Sequence, residues 1–419
     1  MTTITAQHIE PAAVTPKPTV TSIVRDYFAR IRGGDLGALP AVLGLVVLCV
    51  FFGIMRPAFF SAGNFANLFT QGAAVAVIAM GLIFVLLLGE IDLSAGFASG
   101  VCAAVLAQLV SIHGYPWYMA VIAALVTGVV IGTVLGFLVA KVGIPSFVVT
   151  LAAFLAFQGT VLLLIKGGTN VSIGDEVIVA IENRNLPPWL GWLLVLLIAG
   201  GYAVVQLMSL RRRQQRNLVT EPVLVVLGRI AGLALILALA VYFLNIERSV
   251  NPAFNSLKGV PIVVPIIAVL LIVWTFVLRR TAYGRHIYAV GGNREAARRA
   301  GINVDRIRIS VFMICSFMAA IGGIIAASRA RSVDPNTGGS SVLLYAVGAA
   351  VIGGTSLFGG KGRVLDAVLG GAVIAVIDNG MGLMNLSSGQ KFVFTGSVLL
   401  LAAGVDALSR RRAAATGIR

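Results

Sequence analysis

"WYMAVIAALVTGVVIGTVLGFLVA", residues 117 to 140, contains no charged side chain, and its length decides the class of fold. A helix rises 1.5 Å per residue, so crossing a hydrocarbon layer of about 30 Å takes roughly 20 apolar residues. The stretch meets that length, opens after Pro116 and closes at Lys141. Within it Gly128, Gly132 and Gly136 recur every four residues and fall on one face of the helix. Small residues at that spacing let a second helix approach closely in lipid, where packing rather than water exclusion drives association.

Working outward from this run, the same test marks twelve segments: 39 to 56, 65 to 88, 93 to 112, 117 to 140, 145 to 165, 189 to 209, 223 to 244, 261 to 278, 309 to 329, 342 to 358, 364 to 384 and 392 to 408. The composition agrees, with 58% hydrophobic and 11% charged residues and a mean hydropathy of +0.97, values outside the soluble globular range. "AAIGGIIAAS" (319 to 328) and "VGAAVIGG" (347 to 354) carry further small residues suited to helix packing. The expected fold is an all-α polytopic integral membrane protein of about twelve transmembrane helices.

A net charge of +16 in a soluble chain would point to nucleic acid. Here the cations gather in short segments between apolar runs, and no nucleic-acid partner is expected. With the amino terminus in the cytoplasm, "RRRQQR" (211 to 216), the loop 279 to 308, "GGKGR" (359 to 363) and "RRR" (410 to 412) share one side, as the excess of Lys and Arg in cytoplasmic loops requires. The opposite loops, 166 to 188 and 245 to 260, carry Asp175, Glu176, Glu182 and Glu247 with few cations. An even count returns the chain, so both termini are expected in the cytoplasm. The organisation read is a tail over 1 to 38, a permeation domain over 39 to 408 and a basic tail over 409 to 419. The first tail is polar, without the apolar core of a signal peptide, and is expected to be disordered until "TSIVRDYFARIR" (21 to 32), whose spacing suits an amphipathic helix on the inner membrane surface.

Motifs for chemistry are sparse. "GGTSLFGGKGR" (353 to 363) has Thr355 where a phosphate-binding loop needs its first glycine and Gly362 where it needs Ser or Thr, so no nucleotide site is read. Cys49, Cys102 and Cys315 stand alone in apolar runs, and His8, His113 and His286 are far apart in the chain. No catalytic residue, metal site or cofactor is expected. Glu90, Asp92, Lys141, Asp366 and Asp378 lie in or near the apolar segments; such residues are functional candidates and keep an ion-coupled secondary carrier as a second reading. In "GEIDLSAG" (89 to 96) Asp92 and Ser94 are placed to cap the next helix. "GIPSFVVTLAAFLAFQG" (143 to 159) carries Thr150 and Gln158 in an apolar helix. With Gln71 and Asn379, these four make the candidate lining of a translocation path.

"GGNREAARRAGI" (291 to 302) is the most structured of the polar segments. Between Arg279 and Arg308 there are eight arginines against two acids, Glu295 and Asp305. Asn293 can cap a short helix from Arg294 to Ala300, Glu295 suits its first turn, and Gly301 is placed to stop it. Ala296, Ala297 and Ala300 read as a low face for docking in a groove, with Arg294, Arg298 and Arg299 elsewhere to meet carboxylates at its rim.

Four of these words in order, "GEIDLSAG", "GIPSFVVTLAAFLAFQG", "YGRHIYAVGGNREAARRAGINVDRIRISVF" and "GAAVIGGTSLFGGKGRVLDAVLGGAVI", resemble the membrane permease subunit of bacterial ABC importers for monosaccharides, the ribose, galactose and xylose permeases. The resemblance covers roughly residues 40 to 408. "KGGTNVSIGDE", "LPPWLGW" and the extra apolar pair around Arg211 look most like the longer xylose branch. Glu90 departs from the pattern, which has a small residue there. The resemblance implies a multi-pass protein of the bacterial inner membrane that is not an enzyme. It would import a sugar, xylose or another pentose, with a ribose, galactose or nucleoside importer as alternatives. Its partners would be a second copy of the permease, a tandem-cassette ABC ATPase and a periplasmic sugar-binding protein. The 279 to 308 loop, through Asn293 to Gly301, would meet the ATPase.

Overall fold

The computed structural model describes residues 37 to 415 except 166–168, 250 and 253–255, with isolated positions before 37. Most of the amphipathic segment at 21 to 32 lies outside the described residues. The chain is almost entirely helical. In chain order the helices are α1 (Leu39–Met55), α2 (Ala62–Leu87), α3 (Ala95–Ala107), α4 (Trp117–Phe137), α5 (Ser146–Leu164), α6 (Glu176–Asn183), α7 (Pro188–Gln215), α8 (Val223–Leu244), α9 (Val263–Arg280), α10 (Ala282–Gly292), α11 (Arg294–Arg299), α12 (Val304–Ala330), α13 (Ser340–Ile352), α14 (Val364–Leu383) and α15 (Ser388–Ala415). A two-residue strand pair, Val171–Ser172 with Ser332–Val333, joins two connections.

Among the described residues nine helices are long and apolar enough to cross a membrane, counting the helical extensions that carry α3 to Ile112 and α4 to Val142. Three more of the expected segments form α1, α13 and α15. The segment expected over 342 to 358 is shorter, because Gly353 and Gly354 end α13 at Ile352, Gly354 with φ +112°. At 13 residues α13 is about 20 Å long, less than the hydrocarbon thickness.

Helix α4 shows how the bundle is assembled. Ile122, Val126, Val130 and Val134 are exposed along one face, where the surrounding medium is hydrocarbon. The other face carries Ala120, Ala124, Gly128, Gly132 and Gly136 and lies on α12. A Cβ on Gly128 would fall 2.6 Å from the Ser316 carbonyl oxygen, one on Gly132 2.6 Å from the Met313 Cα, and one on Gly136 2.7 Å from the Ile309 Cα. Helices α2, α3, α12 and α14 form the buried centre; α7, α8 and α9 are mostly exposed. On α4 the large side chains face lipid and the small ones face protein, because close backbone approach favours helix over lipid contacts. The buried centre, by contrast, also holds large side chains such as Phe84 and Phe312.

The connections sort into two ends. At one, the Gly360 N–H donates to the Leu87 carbonyl at 2.8 Å, the Tyr288 hydroxyl donates to the Gly362 carbonyl at 2.7 Å, and Lys141 pairs with Asp305 at 2.8 Å. At the other, the Leu186 N–H donates to the Val260 carbonyl at 2.8 Å, Asn183 donates to the Ser328 carbonyl at 2.7 Å, and the strand pair joins residues 171–172 to 332–333. The 279 to 308 and 359 to 363 connections, rich in cations, lie at the first end, and the 166 to 188 and 245 to 260 connections lie at the second.

Candidate functional site

The arginine-rich segment folds as a helix–corner–helix at the first end. Thr281 caps α10, its side chain accepting from the Gly284 N–H at 3.1 Å. Asn293, extended at φ −159°, breaks the helix, and its side-chain oxygen accepts the Ala296 N–H at 2.9 Å to start α11. The helix ends at Arg299, one residue before the expected Ala300, and Gly301 turns the chain with φ +82°. That left-handed conformation is inexpensive only for glycine. Asn303 then caps α12 by accepting from the Arg306 N–H at 3.0 Å. Two caps and one glycine turn fix six helical residues in a short, rigid projection.

Two readings of this helix need correction. Ala297 does not belong to an outward low face: it is 4% exposed and packs into the chain's own core with Val304 and Ile307 nearby in that cluster. Only Ala296 and Ala300 remain exposed, beside Arg298 and Arg299. Arg294, though still exposed, reaches back to the bundle with its tip. One of its terminal nitrogens donates to Glu90 Oε1 at 2.6 Å and to the Leu88 carbonyl at 3.3 Å. A six-residue helix seated on a bundle must give one side to its seat; Ala297 is that side, and Arg294 ties its edge to Glu90. The outward surface is Glu295, Ala296, Arg298, Arg299 and Ala300, with Arg298 and Glu295 paired at 3.2 Å in the open.

The six candidate path residues do not form one lining. Asp92, Ser94 and Thr150 come together, all buried, where the chain bends between α2 and α3. Ser94 does not cap α3. Its N–H and hydroxyl both donate to Asp92 Oδ1, at 2.8 and 2.6 Å, because Asp92 folds back on its own turn. The Thr150 hydroxyl donates to the Ser146 carbonyl at 2.8 Å and the Ile91 carbonyl at 3.2 Å. Asn379 is paired with Asn64 through reciprocal amide bonds of 2.8 and 2.9 Å near the other end. Gln71 and Gln158 lie on α2 and α5, both half-buried and away from that bend. Asp92 belongs to a bend that runs inside the protein, since it lies against Cys315 of α12, and Gly96 in the first turn of α3 packs on Gly338. Backbone that is not helical at such depth is tolerated only inside protein or beside a water-filled cavity.

The other ionisable candidates each have a cation or anion partner. Asp366 accepts from Arg363 at 2.8 Å, Asp378 pairs with Lys391 at 3.6 Å, and Lys141 with Asp305. They are scattered over both ends and form no chain through the bundle.

One acidic residue at the other end is marked in the sequence only as part of an acidic outer loop. Glu182 on α6, outside the spans, is buried, and neither carboxylate oxygen has a hydrogen-bond partner among the described residues. Burial pushes its pKa up to about 8, with the charge of Arg329 acting in the opposite direction. An acid with a raised folded pKa favours the folded state below its unfolded value, near 4.5, and that advantage is lost as pH rises towards 8. Glu182→Gln is therefore expected to match the native protein near pH 4.5 and to exceed it in stability above pH 8 by about 2–4 kcal/mol. Thermal unfolding in detergent at the two pH values measures this; equal midpoints at pH 9 would show that water satisfies the ionised carboxylate.

Comparison with known proteins accords with this architecture. The family model described as "Branched-chain amino acid transport system / permease component" matches residues 64–403. The chain is 36% identical over 386 residues to the xylose transport system permease protein of Escherichia coli (strain K12), covering 92% of this chain and 95% of that one. It is 33% identical over 389 residues to the protein of the same name from Haemophilus influenzae, covering 91% and 99%. The ribose import permease protein of Escherichia coli (strain K12) is 31% identical over 366 residues, covering 87% and 92%. No solved structure matches. These relatives are transport permeases rather than enzymes, and with a match over most of its length this multi-pass membrane protein belongs to the permease-component family of the branched-chain amino acid transport system type.

Proposed function

We propose that the chain is the membrane-spanning permease of an ATP-driven ABC importer for a monosaccharide, with xylose or another pentose as cargo. It works as a pair with a second copy, receives sugar from a periplasmic binding protein, and is driven by a cytoplasmic ATPase carrying two cassettes in tandem. Both termini and the 279 to 308 loop face the cytoplasm. The ATPase docks on the outward surface of the 294 to 300 segment, with Arg298 and Arg299 meeting acidic groups and the low Ala296 and Ala300 admitting a groove wall. The observation that carries the reading is that capped projection, held at the end of the bundle where the 279 to 308 and 359 to 363 connections meet. A loop that supplied only inside charge would need neither caps nor a seat.

The sugar passage is placed beside the paired breaks at residues 88 to 94 and 331 to 339, where α3 and α13 begin within the bundle. Interrupted segments in a membrane protein mark the place where a polar cargo crosses.

Co-reconstitution tests the function. Proteoliposomes holding the permease and a tandem-cassette ATPase, with a xylose-binding protein outside, are expected to accumulate xylose only with ATP inside. Xylose uptake by the permease alone under a proton or sodium gradient would replace this reading with an ion-coupled carrier. Sidedness has its own test. In a background without native cysteines, an impermeant thiol reagent is expected to reach a cysteine at Glu176 or Asn251 from outside intact spheroplasts, and one at Arg211 or Arg298 only after lysis. Labelling at 298 from outside reverses the topology.

A further inference from the structure

Glu90 is 5% exposed and makes three charge-assisted contacts through a single oxygen. Its Oε1 accepts from Arg294 at 2.6 Å and from the Nε and Nη2 of Arg308 at 3.0 and 2.7 Å. Arg294 is the first residue of α11, and Arg308 lies in the second turn of α12. Glu90 itself sits in the bend between α2 and α3.

The residues around it are tied in both directions. On the α11 side, a Cβ on Gly291 would overlap the Leu87 carbonyl, and the Gly360 N–H donates to that same oxygen at 2.8 Å. The corner before α11 thus lies directly on the end of α2. On the bundle side, the Ile91 N–H donates to Ser146 Oγ at 3.3 Å and the Ile91 carbonyl accepts from Thr150 at 3.2 Å, so the next residue is fastened to the first turns of α5. Asp92 follows, and then α3, whose Gly96 packs on Gly338 and Leu343 at the start of α13.

We infer that Glu90 is a positioning residue that transmits movement of the ATPase-facing helix α11, through Arg294, to the internal bend at residues 88 to 94 and so to the starts of α3 and α5. The inference rests on the proposed docking of an ATPase at α11. A buried ion pair is a weak source of net stability, since desolvation offsets most of the attraction, and its best-attested use is to fix geometry. The two arginines differ in a way that suits a link. Arg308, 15% exposed, anchors the carboxylate to α12; Arg294, 42% exposed, is the member that moves with α11. An apolar contact at this place would slide, whereas a charged hydrogen bond from each side carries displacement in both directions.

The test uses the full permease, reconstituted with its ATPase and a xylose-binding protein, in wild type, Glu90→Ala and Glu90→Asp. Glu90→Ala is expected to keep ATPase co-purification and basal ATP hydrolysis within twofold of wild type, while xylose uptake per ATP falls at least tenfold. Glu90→Asp is expected to recover part of the uptake. Wild-type uptake in Glu90→Ala overturns the inference, as does a parallel fall of uptake, hydrolysis and folded protein on gel filtration, which marks a merely structural role. A second measurement needs no ATPase. Spin labels at positions 91 and 299, with Cys49, Cys102 and Cys315 replaced, are expected to give a narrow distance distribution in wild type and a broad one in Glu90→Ala; equal widths overturn the link. Failure of the wild-type permease to retain any ATPase would instead sink the docking proposal and leave the label distances to decide whether Glu90 holds α11.

Discussion

Replacing Arg298 and Arg299 together with Glu is expected to abolish ATP-driven xylose uptake and to reduce ATPase co-purification at least tenfold, with the permease still inserted and folded. Both arginines are exposed on the outward side of α11. The one intramolecular contact of Arg298 at risk is the open i,i+3 pair with Glu295, a kind of surface bridge worth about 0–1 kcal/mol. The fold therefore loses little. The interface loses much more, because acids now face the acidic groups expected of the ATPase, and like charges brought together across an interface cost several kcal/mol. Since each 1.4 kcal/mol is about tenfold in affinity, a small number of reversed contacts suffices to empty the complex. Ala300→Trp, also exposed, is the uncharged companion and carries no risk of shifting inside charge. Ala297→Trp is unsuited to this purpose, because Ala297 is buried against α11's own seat and the bulky ring would displace the helix from the permease itself. Wild-type uptake and co-purification in the double Glu variant would reduce α11 to a charged topology marker.

Gly132→Leu is expected to have the second large effect, here on the fold. The glycine lies where α4 crosses α12, and a Cβ would meet the Phe312 carbonyl and, at 2.6 Å, the Met313 Cα. These are backbone atoms in a helix and cannot move aside as a side-chain tip would. Overpacking commonly costs about 1–3 kcal/mol and more where nothing yields, so a loss of at least ~3 kcal/mol is expected. It would be seen as aggregation on gel filtration and as rapid degradation in membranes. Gly159→Ala is the control. Gly159 also lies in a transmembrane helix, α5, but a Cβ there meets nothing within 4 Å, and the variant is expected to behave as wild type or slightly better, since alanine favours helix over glycine by up to about 1 kcal/mol. A folded, monodisperse Gly132→Leu protein would show that the α4–α12 crossing tolerates separation.

The two glycines also show where sequence reading stops. Each stands in an apolar run, and nothing local distinguishes the one pressed on another helix from the one facing open space except the company it keeps. Gly132 is flanked at four-residue spacing by Gly128 and Gly136, and that stripe was legible. In the same way the caps at Asn293 and the turn at Gly301 were legible, because a cap is made by residues three apart. The outward orientation of Ala297 was misread for the opposite reason. A six-residue helix has one seat and one open side, and the spacing of its alanines does not say which is which. Ser94 was misassigned because two adjacent polar residues compete for the same free amides, and the fold of the bend, not the spacing, settled that Asp92 accepts and Ser94 donates.

By itself the sequence determined the properties written within a few residues: helix lengths matched to a bilayer, cations alternating with apolar runs, stripes of small residues, and the caps that delimit α11. Only the tertiary structure decided which faces turn inward and which distant residues meet. Glu90 and Arg294 are 204 positions apart, and Glu90 and Arg308 218. The reason is the solvent. In water the apolar face of a helix is the buried face, so pattern reveals orientation. In lipid both faces are apolar, and the arrangement that joins Glu90 to α11 exists only once the helices have packed by shape.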